Sequence, residues 1–117
     1  MKPIVLTAKN FNNLQFGKPG LLFVYGDWCH FCVQFKPEFK KLADLFAENG
    51  DFIIAQIESA EIDDSAVKKC IGEIEGFPTL LFFDSKGKIV ENYQGARTVS
   101  DLLKEICKVY KVCKRFL

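Results

Sequence analysis

The chain has 117 residues, 49% of them hydrophobic and 26% charged, with a formal net charge of +1. That size fits one domain over residues 1–117, able to bury somewhat over ~60% of its unfolded surface, and the balance excludes a disordered chain. The near-neutral charge gives no field that favours nucleic acid, and no apolar run approaches the ~20 residues of a membrane span.

Ile4-Val5-Leu6 reads as a short strand, and Thr7 precedes a stretch expected to be helical through Phe11, Leu14 and Phe16. Gly17-Lys18-Pro19-Gly20 is a turn signal. Leu21 to Tyr25 is an uninterrupted apolar run, the pattern of a strand buried on both faces. After DWCHFC the period becomes helical from His30 to about Asn49, with Phe35, Phe39, Leu42 and Phe46 on one side. Pro37 inside it removes a backbone donor and predicts a kink. Asn49-Gly50 supplies a stop. Phe52 to Ile57 is a second buried strand and Ser65 to Ile71 a short helix.

GFPT, residues 76–79, leads into the strand Leu80 to Phe83, and Asp84 to Gly87 turns into a half-exposed strand over residues 89–93. Thr98 to Asp101 offers capping chemistry for a closing helix. Its apolar stripe is Leu102, Ile106, Val109, Cys113 and Phe116. Lys104, Lys108, Lys111, Lys114 and Arg115 form its basic outer face or a patch for a partner. The element order is β-α-β-α-β-α-β-β-α, an α/β fold with a mixed sheet flanked by helices.

Five cysteines cannot all pair within the chain, which argues against a disulfide-stapled secreted domain. Cys29-His30-Phe31-Cys32 opens a helix directly after a buried strand. Unsatisfied N–H groups and the helix dipole there favour a thiolate at the first cysteine. The second lies about one turn on, positioned to resolve a mixed disulfide. A tetrahedral metal would need further Cys or His ligands. His30 is the only histidine, and on a helix Cys107 and Cys113 would project about 120° apart. Those two and Cys70 are expected to pack, Cys70 alternatively serving as a regulatory thiol.

FVYGDWCHFC, with VQFKPEF after it, resembles the active-site strand and helix of the thioredoxin superfamily, including a proline five residues past the second cysteine. GFPT matches that family's cis-proline segment, and YQGART is closer to the catalytic domains of protein disulfide isomerase. The resemblance implies a thioredoxin fold and thiol–disulfide exchange on protein or peptide substrates. It implies a nucleophile at Cys29 and a resolver at Cys32. No metal is needed, nor any cofactor beyond the redox-active disulfide, and an unknown redox partner recycles the pair.

It also implies a cis Phe77–Pro78 bond after Gly76, which would hold the Phe77 backbone beside Cys29 for a substrate strand. Trp28, His30 and Phe31 would supply contact surface in a shallow apolar groove. Arg97 matches an arginine that stabilises a thiolate during turnover. Where the family commonly carries a buried acid and its lysine, this chain has Phe23 and Gln56, so Cys32 lacks a proton acceptor. Loss of that acid and gain of His30 predict a pair less reducing than a typical thioredoxin, with isomerase or oxidase activity. The alternatives are a redox-weak module that binds peptides or partners, and a metal or cluster bridging two subunits through the pair. MKPIVLTAKNF has no signal-peptide pattern and CKRFL is no retention address, so a soluble, monomeric, cytoplasmic protein is expected.

Overall fold

The computed structural model describes residues 3–47 and 50–115. Five strands form one sheet in the order β1-β3-β2-β4-β5. They are β1 (Ile4–Leu6), β2 (Gly20–Tyr25), β3 (Ile53–Glu58), β4 (Thr79–Phe83) and β5 (Ile89–Asn92). β1 and β2 run parallel to β3, while β4 is antiparallel to both β2 and β5. The helices are α1 (His30–Phe46), α2 (Ser65–Ile71) and α3 (Val99–Glu105).

Every residue of β2 is buried, because its alternating side chains feed two cores. Leu21, Phe23 and Tyr25 join Phe35, Phe39, Leu42 and Phe46 of α1 and Leu102 of α3. Leu22 and Val24 join Leu6, Ile57, Val67, Ile71 and Phe83 on the other face. The apolar spacing of α1 therefore becomes its buried face. The helix runs through Pro37 without a break. Its last helical residue is Phe46, and the stop expected at Asn49 lies outside the described residues.

Two expectations fail. The stretch after Thr7 is a series of turns, not a helix, so the described residues form three α-helices where the sequence pattern suggested four. Asn10 Oδ1 accepts the Thr7 amide at 2.6 Å and Asn12 Oδ1 accepts the Leu14 amide at 3.1 Å. Such local bonds compete with helical ones, and Asn13 and Leu14 adopt positive φ values of 59° and 58°. Leu14 is nevertheless fully buried, so its apolar signal was a core anchor rather than a helix face.

The closing helix also departs from a single stripe. After α3 the chain widens into a π-helical turn, Ile106–Tyr110, and Lys111 takes a left-handed conformation with φ 63°. A π turn inserts one residue into the helical phase. Tyr110 thereby replaces Val109 on the core, stacking on Phe82 at 4.8 Å, and Val109 is exposed. Cys107 and Cys113 form a disulfide with Cα atoms 4.4 Å apart, so they neither pack as free thiols nor continue a stripe. Phe116, at the end of that stripe, lies outside the described residues.

Candidate active site

The Cys pair stands where β2 hands over to α1. Gly26 ends the strand, and its carbonyl accepts the Cys29 amide at 3.0 Å, turning the chain into the helix. A Cβ at Gly26 would lie 2.6 Å from the Trp28 indole, so only glycine lets the ring fold over this turn. Cys29 is the N-cap of α1, and its Sγ accepts the Cys32 amide at 3.2 Å. An amide dipole at a helix start suits a negatively charged sulfur. Cys29 is 6% exposed and Cys32 0%, so solvent and substrate reach the first sulfur alone.

Around that opening the surface is apolar. Trp28 is 70% exposed and Phe31 58%, and the Trp28 ring meets Phe77 edge-on at 5.3 Å. The Phe77–Pro78 bond is cis, as the resemblance implied. The Gly76 carbonyl accepts the Thr79 hydroxyl at 2.6 Å, fixing the loop ahead of β4. His30 is exposed, its Nε2 3.2 Å from the Gln34 side-chain nitrogen. A concavity of about 400 Å³ adjoins this surface, lined by Gly76, Phe77, Pro78, Tyr93 and Arg97 but by neither Cys29 nor Trp28.

Arg97 places its guanidinium 5.9 Å from the centre of the Phe31 ring. The Tyr93 hydroxyl donates to the Ala96 carbonyl at 2.8 Å and so closes the loop that carries Arg97. Burial raises the Cys32 thiol to about 11, helped by its contact with Cys29, while the Gly26 backbone and the Arg97 charge pull the other way.

Phe23 and Gln56 sit directly opposite each other across β2 and β3, so the two uncharged residues occupy neighbouring sites. Phe23 packs edge-on against Phe35 at 5.1 Å and touches Phe39 at 4.9 Å. The Gln56 amide nitrogen reaches the Tyr25 hydroxyl at 3.4 Å.

Sequence reasoning missed Glu58, which is paired with Tyr25 in register. It accepts the Ser59 hydroxyl and the Ala60 amide, and with the Asp27 amide these hold its carboxyl below the usual range. Glu58 thus braces the Asp27 turn. The apolar run Phe52 to Ile57 stops one residue short of it and gave no signal for that role. Cys70, expected to pack, is half-buried, and burial pushes its thiol up. Among the described residues no three His, Cys, Asp or Glu side chains converge as a metal-holding group, and no helix is long and apolar enough to cross a membrane.

A mixed five-stranded sheet with a Cys-x-x-Cys at the start of its longest helix, beside a cis-proline loop, defines one class. The chain belongs to the thioredoxin family, whose sequence profile matches residues 2–108. It is 36% identical over 103 residues to protein disulfide-isomerase of Oryctolagus cuniculus, covering 86% of this chain and 19% of that protein. It is 34% identical over 100 residues to protein disulfide-isomerase tigA of Aspergillus niger, covering 83% of this chain and 27% of that one.

Among solved structures it resembles the zinc-bound form of human ERp44, with a TM-score of 0.76 and 24% identity over 92% of this chain and 30% of the other. It also resembles the first two thioredoxin domains of Naumovozyma dairenensis Eps1p, with a TM-score of 0.71 and 26% identity over 90% of this chain and 39% of the other. The chain thus spans about a fifth to a quarter of the curated relatives' length. These relatives and neighbours are proteins of the endoplasmic reticulum, which overturns the expected cytoplasmic location. The expectation failed because a compartment is addressed by separate segments, not by the packing of the domain. The chain is thus a thioredoxin domain that resembles protein disulfide-isomerase domains and carries a close Cys29–Cys32 pair.

Proposed function

We propose that the protein, acting as a monomer, exchanges disulfides with protein or peptide substrates through Cys29 and Cys32. The observation that supports this best is the asymmetry of the pair: one slightly exposed sulfur receiving an amide at the helix start, one fully buried sulfur behind it. In the reducing direction the Cys29 thiolate attacks a substrate disulfide. One S–S bond breaks, a mixed disulfide forms and the first substrate sulfur leaves to be protonated. Cys32 then loses its proton and attacks Cys29 Sγ, closing the pair and freeing the second substrate thiol. Oxidation and isomerisation use the same steps reversed or repeated, and a second redox protein recycles the pair. Trp28, Phe31 and Phe77 form the surface that a substrate meets, with the Phe77 backbone and Gly76-Pro78 loop beside it; His30 flanks the opening.

The second step sets the character of the enzyme. Below its raised pKa of about 11, Cys32 is protonated, and the fraction present as thiolate rises tenfold with each pH unit. Resolution should therefore accelerate about tenfold per unit between pH 6 and 9. Stopped-flow decay of a preformed mixed disulfide checks this, and a pH-independent rate would count against Cys32 as resolver. With Phe23 in place of an acid, no buried carboxylate opposes a negative sulfur. That favours the dithiol over the disulfide and makes the pair less reducing than a typical thioredoxin, suited to isomerase or oxidase work. Insulin reduction and refolding of a scrambled substrate, run side by side, test the direction.

Phe31 and Arg97 take part in the resolving step as positioning groups. A cation over an exposed ring is worth about 0.5–1 kcal/mol. Phe31→Ala should thus slow resolution about twofold to fivefold, and Arg97→Ala at least as much. If Phe31→Ala slows it equally in an Arg97→Ala background, the ring does not act through the guanidinium.

A second reading follows from the same lack of a proton acceptor: a module that binds partners on its Trp28–Phe31 face and turns over little. Partner binding that survives Cys29→Ser with Cys32→Ser, alongside negligible exchange by the intact protein, would favour it.

A further inference from the structure

We propose that Cys107–Cys113 is a second redox site, opened by small anionic thiols, whose state sets the helical phase of the C-terminal segment. Cys107 is half-buried and Cys113 exposed, so the bond is open to attack from solvent on the Cys113 side. Cys107 lines a surface depression together with Lys104, Lys108 and Lys114. Three lysines lining the depression on the Cys107 side make the local field positive, which attracts a thiolate nucleophile and favours the thiolate that leaves.

The bond and a regular helix exclude each other. In an α-helix, cysteines six residues apart lie about 9 Å apart along the axis and about 120° apart around it. Here their Cα atoms are 4.4 Å apart, brought together by the π turn and by Lys111 in its left-handed conformation. The Lys111 ammonium donates to the Lys108 carbonyl at 2.9 Å, closing the turn. The sequence, by contrast, carries a helical stripe through Val109 and Cys113. The oxidised state turns Tyr110 onto Phe52 and Phe82 and bonds its hydroxyl to Glu91 Oε1 at 2.9 Å. The reduced state restores Val109 to the stripe and adds about one turn of α-helix past Tyr110.

The chemistry is two successive exchanges. A thiolate attacks one sulfur of the pair, the S–S bond breaks, and the other sulfur leaves as a thiolate and is protonated. A second thiol then attacks the mixed disulfide and frees the first cysteine, which also takes a proton. Two electrons and two protons enter the protein, and the two small thiols leave as one disulfide.

The test is timed reduction of the intact chain by glutathione, and separately by cationic cysteamine, each quenched by alkylation and mapped by peptide mass. Mapping reports Cys107–Cys113 apart from Cys29–Cys32, so the outcome does not depend on the function proposed for the first pair. Rates are compared per thiolate. Glutathione should open the second site about tenfold faster than cysteamine at low salt. That advantage should shrink at high salt and in Lys104→Glu/Lys108→Glu/Lys114→Glu. Hydrogen exchange on the reduced protein should show protection gained over residues 110–113. Cys107→Ser/Cys113→Ser should show the same protection without any thiol. Resistance of the bond to millimolar glutathione, equal rates for the two thiols, or unchanged protection in both the reduced protein and the serine variant would overturn the proposal.

Discussion

Cys32→Ser is expected to convert the protein into a trap. With Cys29 still able to attack but no buried thiol behind it, a substrate disulfide should stop at the Cys29 mixed disulfide. That adduct should accumulate to near stoichiometry on non-reducing gels and in intact-mass spectra. Turnover without external thiol should fall by roughly 10³-fold or more, the scale seen when one member of a catalytic unit is lost. Cys29→Ser should lower turnover as far and trap nothing, because Cys32 is wholly buried and meets no substrate. The contrast between the two variants carries the information. Equal trapping by both would mean that the depth difference between the two sulfurs does not set their order of action.

The second large effect concerns stability. Phe23 is fully buried and contacts Tyr25, Phe35 and Phe39 with ring centres 4.9 to 5.2 Å apart. It joins β2 to α1 directly beneath the Cys pair. Phe23→Ala should cost about 3–5 kcal/mol, from lost burial and the cavity left behind. That is a large share of the roughly 5–15 kcal/mol that holds a domain folded. Phe23→Leu should cost less than half as much. Val33→Ala, on the exposed side of α1, should stay within about 0.5 kcal/mol of the parent. Denaturant midpoints with unchanged slopes would measure all three. A Phe23→Ala midpoint close to the parent's would show that the aromatic cluster does not carry the β2–α1 contact.

Much of this was legible in the residues. The apolar run from Leu21 to Tyr25 had the pattern of a strand covered on both faces, and the spacing of Phe35, Phe39, Leu42 and Phe46 that of a helix face. Pro37 and GFPT then fixed the family. What stayed hidden depended on choices made by particular side chains. The turns after Thr7 arise because Asn10 and Asn12 offer the backbone closer partners than a helix would. The Cys107–Cys113 bond goes with Tyr110 rather than Val109 on the core, a choice between two apolar residues that periodicity does not decide. The stacking of Arg97 on Phe31 joins residues 66 positions apart, and only the closed sheet brings them together.

The function proposed for the site requires Cys29 and Cys32 to form a working redox couple. The most direct measurement is equilibration of the protein with glutathione buffers of graded ratio, with the state of this pair read by alkylation and peptide mass. One two-electron transition is expected, at a potential less negative than the roughly −270 mV of a typical thioredoxin. A pair that never closes across the whole range, or one that titrates at or below that value, would contradict it.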